Sequence, residues 1–266
     1  MTLASGARPP QQATQPGGPR SPLRVMQIVE TLAEHPDGLT LTQLGARLSI
    51  PKTSLHTHLK VLLSSGHLTA QAARYQLGPA ALRMGSLIAS GSSVLRAARP
   101  VLERLVRDTH ESALLGVLDV GTREAVYIER QEGLHPVRYA PQIGMRRPLY
   151  CTAFGRMLLA FQPEAWIERY LTARPLPAIT RHTVTDPAEL RKVLAQIRKA
   201  RVAITAEEHT LHAAAVAAPV FDRSGALIAA IGVALPAERL RATRRELVDK
   251  VTGAGREVSW ALGAPG

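Results

Sequence analysis

The sequence predicts an α+β protein in two parts: a small helical module that ends in short extended pieces, then a larger domain in which helices flank an antiparallel sheet. In the first 90 residues, apolar side chains recur every three or four positions, as in amphipathic helices. Beyond residue 112, segments of alternating apolar and polar side chains appear, as in strands. With 266 residues, 45% of them apolar, the chain is long enough for two cores.

The composition favours a polyanionic partner. The formal net charge is +12, which suits nucleic acid, although charge alone does not separate DNA from RNA or anionic lipid. The single cysteine, Cys151, rules out an intramolecular disulfide and a cysteine-cluster metal site. No apolar run approaches the roughly 18 residues that span a bilayer, and residues 1–20 are predicted to form a disordered tail. We therefore expect a cytoplasmic protein with no cofactor and no membrane partner.

Three helices are predicted between residues 21 and 78. The first, LRVMQIVETLAE at 23–34, stops before a proline. Thr40 and Gln43 form a capping box that opens a second, short helix. Pro51, expected at the first helical position, opens the third, PKTSLHTHLKVLLS, which has a leucine stripe on one face. Two extended pieces at 67–69 and 75–77 follow, which predicts a winged helix-turn-helix with its third helix in a major groove.

The third helix has a polar, cationic face, and its surroundings are free of acidic residues. No Asp or Glu occurs from Gly38 to Leu102, and carboxylates there would repel a phosphate backbone. The alternative is that this basic helix is solvated and contacts nothing. The arginine of the predicted wing has the same alternative. The residues predicted to contact DNA are Arg47, Lys52, Thr53, Ser54, His56, Thr57, Lys60 and Arg74.

A linker helix and hinge at 79–92 are expected to connect this module to a larger domain at 93–264. A helix from residue 94 precedes three predicted strands, SALLGVLDV, EAVYIERQE and PVRYAPQI. Further helices begin near Thr152, at PEAWIERYL and at Asp186-Pro187. A hairpin around 223–225 and a closing helix at 237–262 complete the pattern.

Several of these segments together resemble the IclR family of bacterial transcription regulators, from about residue 21 to the carboxy terminus. The matching pieces are PKTSLHTHLKVL, GHL and RYQLG in the first part. In the second part they are GMRRPLYCTAFGRMLLA, TAEEHTLHAAAVAAPVFDRSG and AAIGVALP. The resemblance implies a winged helix-turn-helix, a linker helix and a GAF-like effector-binding domain, in a dimer or a dimer of dimers. The resemblance further implies that the two recognition helices of a dimer read the half-sites of a palindromic operator in double-stranded DNA.

The resemblance also implies an effector pocket at the start of the helix near Thr152. Backbone amides at a helix amino terminus suit a carboxylate, and here they belong to Thr152, Ala153 and Phe154. The chain departs from the family's polar set, having Thr205, Ala215, Gly232 and Ala234 where an Asp, a Cys and paired Ser can stand, and His212 for the usual Gly. Ala213 joins the predicted lining. This favours a small-molecule effector with one anionic group and an apolar body. The alternative is a filled core, closed by Phe154, that binds nothing.

The expected function is therefore a DNA-binding regulator, expected to repress, whose operator affinity a carboxylate-bearing metabolite modulates. An enzyme is not expected, because no convincing acid, base and nucleophile occur together. Cys151 is interpreted as a core residue, and His209 and His212, although spaced like metal ligands near Glu207 and Glu208, as structural or ligand-adjacent. The open alternatives are a non-specific nucleic-acid or nucleoid binder and a GAF-like domain with no ligand.

Overall fold

The computed structural model describes residues 20–139, 141–173 and 175–265. The chain divides into two compact units, with the boundary between Ile88 and Ala89. The tail predicted at 1–20 lies outside the described residues, except for Arg20, where the first helix begins.

The amino-terminal unit holds three short helices, a small antiparallel sheet and most of a fourth helix. The sheet order is β1-β3-β2. The elements are α1 (Arg20–Ala33), β1 (Leu39–Thr40), α2 (Leu41–Leu48), α3 (Lys52–Ser64), β2 (Leu68–Gln71), β3 (Arg74–Leu77) and α4 (Pro79–Gly91).

The leucine stripe of α3 forms the centre of this unit's core. Each fully buried leucine contributes about 1.5–3 kcal/mol relative to an exposed one, so the stripe fixes which face of α3 points outward. Leu63, at its edge, is only partly buried. The buried core consists of Leu55, Leu59 and Leu62 of α3 with Ile28, Leu32, Leu39, Leu44, Ile50 and Leu68.

The turn into α3 is set by local chemistry. The capping box is confirmed: the Thr40 N–H donates to Gln43 Oε1 at 2.9 Å, and the Gln43 N–H donates to Thr40 Oγ1 at 3.3 Å. Helix α2 ends at Ser49, which adopts a left-handed conformation with φ 52°. The prediction that Pro51 is the first helical residue is wrong: Pro51 is the residue before the helix. Its ψ of 138° is extended, so the helix begins only at Lys52.

The carboxy-terminal unit is a six-stranded antiparallel sheet with helices on both faces. Its strand order is β6-β5-β4-β9-β8-β7. Ser92 alone separates α4 from α5, and its hydroxyl caps α5 by accepting from the Leu95 N–H. The elements are α5 (Ser93–Thr109), β4 (Ser112–Asp119), β5 (Glu124–Gln131), β6 (Arg146–Pro148), α6 (Ala153–Ala160), α7 (Glu164–Thr172), α8 (Pro187–Ala200), β7 (Ala203–Ala206), β8 (Ala213–Phe221), β9 (Leu227–Pro236) and α9 (Ala237–Ala261).

The two faces of the sheet carry separate cores because side chains alternate along each strand. On one face, Val216 and Val220 of β8 pack with α5 and α9. On the other, Ala215 and Ala217 pack with α6 and α8. Every residue of α6 is buried, and the small alanines beneath it allow that close approach.

One predicted strand does not form, and three strands of the structure were not predicted. PVRYAPQI at 136–143 is predicted as a strand, but its described residues are a bend, a turn and irregular chain, with Val137 72% exposed. The third strand of that half of the sheet is instead Arg146–Pro148, an edge strand where proline costs no ladder bond. The prediction also lacked β7 and the two-residue β1. The α+β class itself is confirmed.

Candidate functional site

The outward face of α3 presents two adjacent side-chain stripes. Lys52, His56 and Lys60 recur every four residues and so share one side of the helix, and Thr53 and Thr57 form the neighbouring stripe. All five are exposed. Together they make a surface of ammonium, imidazole and hydroxyl groups suited to phosphate oxygens and base edges. The Thr57 hydroxyl donates to the Thr53 carbonyl at 3.1 Å, so in this structure it offers an acceptor.

The remaining predicted DNA contacts differ in their surroundings. Arg47, in the last turn of α2, is exposed. Ser54 is half-buried at the margin of the α3 face. Arg74 is exposed, yet its guanidinium donates to the Gly38 carbonyl at 2.9 Å. It therefore ties strand β3 to the turn before β1, a structural role that the sequence did not predict.

The candidate effector pocket is a small cavity between α6, the start of β8 and the turn at 207–212. Its volume is about 40 Å³, room for little more than a water molecule. An aromatic acid therefore requires the pocket to open. The lining includes Thr152, Thr205, Ala213, Ala215 and Ala234, which were predicted, and Tyr127, Tyr139, Arg147, Glu207, Glu208, His209, Thr210 and Ala214, which were not.

Three predicted effector residues lie outside this lining. Ala153 and Phe154 are fully buried, and the Phe154 ring packs edge-on against Tyr127 with centroids 5.2 Å apart. The first turn of α6 is partly occupied, because the Thr152 hydroxyl accepts from the Gly155 N–H at 3.1 Å. A Cβ on Gly232 would lie 2.0 Å from the Val216 carbonyl oxygen, so this position needs glycine for the β8–β9 approach.

The acidic residues of the pocket are held by internal partners. Both carboxylate oxygens of Glu208 accept from the guanidinium of buried Arg156, whose Nε donates to the Tyr150 carbonyl at 2.6 Å. The His212 N–H donates to Glu207 and is the largest cause of that carboxyl's lowered pKa. The hydroxyls of Thr180 and Thr183 donate to the carbonyls of Glu207 and Glu208, both at 2.6 Å. The turn is thus fixed without using Arg147.

Arg147, Glu207 and His209 are the ionisable side chains that set the charge of the pocket beside the Arg156–Glu208 pair. Burial lowers the pKa of His209 from its usual 6.5, and the nearby charge of Arg147 lowers it further. The imidazole is therefore neutral at pH 7. Burial also raises the pKa of Tyr127. Since Arg156 neutralises Glu208, Arg147 is the cation in the lining that suits a ligand carboxylate. Its position on a short edge strand gave no sequence signal.

The nucleophile and metal hypotheses find no support among the described residues. Cys151 is fully buried, and desolvation raises the pKa of its thiol to about 12, so it is a core residue and not a thiolate. Within the ranges that the structure describes, no group of three or more His, Cys, Asp or Glu side chains is placed to hold a metal ion. None of the described helices is long and apolar enough to cross a membrane.

Two family models match the two units. The model described as bacterial transcriptional regulator IclR C-terminal matches residues 87–260, and the IclR helix-turn-helix domain matches residues 21–72. The chain belongs to the IclR family. It is a DNA-binding transcriptional regulator, and the predicted resemblance and fold are confirmed.

Individual IclR-family proteins match over nearly the whole chain. The regulator BhcR of Paracoccus denitrificans is 33% identical, with 94% of this chain and 90% of the relative covered. The transcriptional repressor IclR of Escherichia coli is 29% identical, with 98% and 97% covered. The relatives are named as regulators, which supports the expectation of a non-enzymatic protein.

Solved IclR-family structures share the fold. A regulator from Alicyclobacillus acidocaldarius superposes with a TM-score of 0.84 at 25% identity, covering 92% of this chain and 100% of the other. An IclR homolog from Microbacterium hydrocarbonoxydans, complexed with 4-hydroxybenzoate, gives a TM-score of 0.80 at 26% identity, covering 91% and 98%.

Proposed function

We propose that this regulator acts as a repressor and reads a palindromic operator with the α3 face of two copies. In this proposal residues 21–78 bind DNA, 79–92 link, and 93–264 bind the effector. The observation that carries it is the exposed cationic face of α3 within a stretch, Gly38 to Leu102, that has no Asp or Glu. Lys52 and Lys60 contact phosphates, which position the helix, while His56 and Thr57 read base edges.

Base reading by His56 is testable against phosphate contact by its neighbours. His56→Ala should change the preference at one base pair of each half-site by about 1–3 kcal/mol, while leaving affinity for random duplex nearly unchanged. Binding to a set of single-base operator variants at fixed salt measures this. An equal loss on every sequence would show that His56 contacts the backbone only.

The homo-oligomer is proposed from apolar side chains left outside the core of the amino-terminal unit. Leu82 and Ile88 of α4 are 61% and 66% exposed, and Leu23 and Met26 of α1 are also exposed. We propose that these exposed apolar side chains are covered by a second copy, since an apolar patch on the surface is typical of a protein interface. A second copy packing there places two α3 helices on half-sites about one helical turn, or a multiple of it, apart.

Ile88→Arg tests this arrangement because a buried, unpaired guanidinium opposes association. The variant should sediment as a smaller species and lose most of its operator affinity. Val120→Arg, at an exposed apolar position in the β4–β5 turn, is the matched control and should keep the wild-type mass. Unchanged sedimentation of the Ile88 variant would remove α4 from the interface.

The effector is proposed to be a small acid with one carboxylate and an apolar body, bound in the pocket around Arg147. Arg147 shares the lining with alanines and tyrosines, Glu208 is paired with Arg156, and His209 is neutral. The Glu207 carboxylate keeps its charge and accepts from the His212 backbone N–H. The 4-hydroxybenzoate bound by the Microbacterium homolog is an acid of this class. Contact between the ligand and the backbone amides of Ala153 and Phe154 in α6 remains a prediction. A ligand can reach these amides only if the pocket wall is displaced.

A thermal-shift screen of aliphatic and aromatic carboxylates tests the effector class. Arg147→Gln should weaken a stabilising acid roughly 10- to 100-fold, because one charge-assisted hydrogen bond is lost, and should leave the operator affinity of the ligand-free protein unchanged. Arg146→Gln, next to it and paired with Asp119, is the matched control. The absence of any stabilising acid would favour the filled-core alternative.

A further inference from the structure

A second, much larger cavity lies in the carboxy-terminal unit, away from the effector pocket. It is a cleft bordered by the end of α8, the end of β8 and the last turns of α9, open to solvent on one side, with a volume of about 560 Å³. That is within the roughly 300–1,000 Å³ typical of small-molecule sites. We call it the α9 cavity. No residue of the effector pocket lines it, although strand β8 runs from one to the other.

One wall of the α9 cavity is a single stripe of its helix. Val248, Thr252, Arg256 and Trp260 recur every four residues and so point the same way. Trp260 is 79% exposed, an unusual position for a large aromatic side chain in a chain with only two tryptophans. This stripe therefore presents an aromatic ring and a guanidinium to the cavity.

The opposite wall repeats the same pair of groups. Phe221, at the end of β8, lies beneath the guanidinium of Arg201, whose carbon is 5.4 Å from the ring centroid. Arg201 ends α8 in a left-handed conformation with φ 52°. Each wall thus combines an aromatic ring with an arginine, a combination that suits flat organic anions.

Among the polar groups that line the cavity, the guanidiniums of Arg201 and Arg256 have hydrogen-bond donors available for a ligand. The Ser259 hydroxyl accepts from the Phe221 N–H and donates to the Gly255 carbonyl. Thr252 donates to carbonyls of its own helix. The cavity lining contains no carboxylate, and among the described residues neither Arg201 nor Arg256 forms an ion pair.

We propose that the α9 cavity binds an aromatic or similarly flat organic carboxylate, held by Arg201 and Arg256 and in contact with the Trp260 ring and the edge of Phe221. This is a second ligand site, and it does not depend on the effector pocket. Its size, its apolar side chains and two positive charges, with no carboxylate among the described residues of the lining, define the ligand class.

Trp260 provides a direct readout. Trp166→Phe leaves Trp260 as the only indole, and titration with naphthalene-1-carboxylate should produce a saturable fluorescence change with a Kd of about 1 mM or tighter. The uncharged naphthalene-1-methanol should bind about tenfold more weakly, as should the carboxylate to Arg256→Gln. Arg241→Gln, exposed on the same helix, and Arg147→Gln should bind as the parent does.

Calorimetry with the wild-type chain and the single Arg256→Gln variant repeats the test without altering a tryptophan. Absence of saturable binding, equal affinity for the neutral analogue, or loss of binding in Arg147→Gln would each overturn the proposal. A Trp260 signal that changes with protein concentration before any ligand is added would also overturn it, because a second copy would then fill the cavity.

Discussion

In the proposed complex with DNA, Lys52, His56 and Lys60 have different roles on one helix face. A lysine ammonium is a point charge that pairs with any phosphate, whereas an imidazole or hydroxyl has directional hydrogen bonds suited to a base edge. Lys52 also lies in the first turn of α3, where a cation opposes the helix dipole. A bound phosphate reverses that small cost.

Lys52→Ala should therefore weaken binding to operator and random duplex by the same factor. One fewer counterion is released, so the slope of log affinity against log salt should fall by about one unit. Lys192→Ala, on exposed helix surface of the other unit, should change neither quantity. If Lys52→Ala alters base preference and leaves the salt slope intact, Lys52 does not contact phosphate.

His209 should make folding stability depend on pH. Its pKa is lowered in the folded protein, first by burial and then by Arg147, so the unfolded chain takes up its proton at a higher pH than the folded one. Stability from this residue is complete above the unfolded pKa and is lost as pH falls towards the folded pKa. Chemical denaturation at about pH 7.5 and about pH 5.5 should therefore show a smaller difference for His209→Gln than for wild type. Equal differences would contradict this assignment.

At the scale of elements, the wing contains a backbone feature that its sequence does not favour. Strands β2 and β3 are joined by Ala72 and Ala73, with φ values of 48° and 60°. Two-residue hairpins of this type favour Asn-Gly, because a Cβ in the left-handed region is strained. The wing is held nonetheless by β1 and by the Arg74 and Gln76 side chains, which donate to the carbonyls of Gly38 and Pro36.

Ala73→Gly should accordingly stabilise the amino-terminal unit by roughly 0.5–1 kcal/mol, since relief of left-handed strain exceeds the added chain entropy. The same change at Ala46, exposed and helical in α2, should destabilise it by about 1 kcal/mol. Urea unfolding of both variants measures the two signs. Destabilisation by Ala73→Gly would show that the turn is unstrained.

Elements with a strong local signal were predictable from sequence, and elements fixed by partners were not. The capping box predicted the start of α2, and the leucine stripe predicted α3 to within one residue at Pro51, because both depend on residues within a few positions. Strand β6, Arg-Arg-Pro, has poor strand composition and exists through pairing with β5. PVRYAPQI alternates as a strand does, yet its Val137 is exposed.

The same reason explains the outcome at the candidate effector pocket. Ala213, Ala215 and Ala234 were predicted because the family resemblance implies a pocket beside β8 and β9, whereas Ala214 was not. Arg147 and the two tyrosines enter the pocket through strand pairing and the path of a loop, neither of which leaves a periodic pattern. Gly232 was expected near the ligand, but close contact between the β8 and β9 backbones requires it instead.

At the scale of the whole molecule, the proposed DNA-binding face and the proposed effector pocket lie in separate compact units. Each unit has its own core, and α4 crosses the boundary between them. An effector therefore changes operator affinity only if it binds the conformations of the assembly unequally. The largest effect is expected on paired half-sites, because their spacing depends on both copies.

The most direct test of this account is competition binding at one fixed salt concentration. The competitors are a palindromic duplex from upstream of the protein's own gene and a random duplex of equal length. If two α3 faces read base sequence together, the palindrome should be preferred by about 10³-fold or more, and a single half-site should lose most of that preference. Equal affinity for palindrome and random duplex would contradict sequence reading by α3 and leave a non-specific nucleic-acid binder.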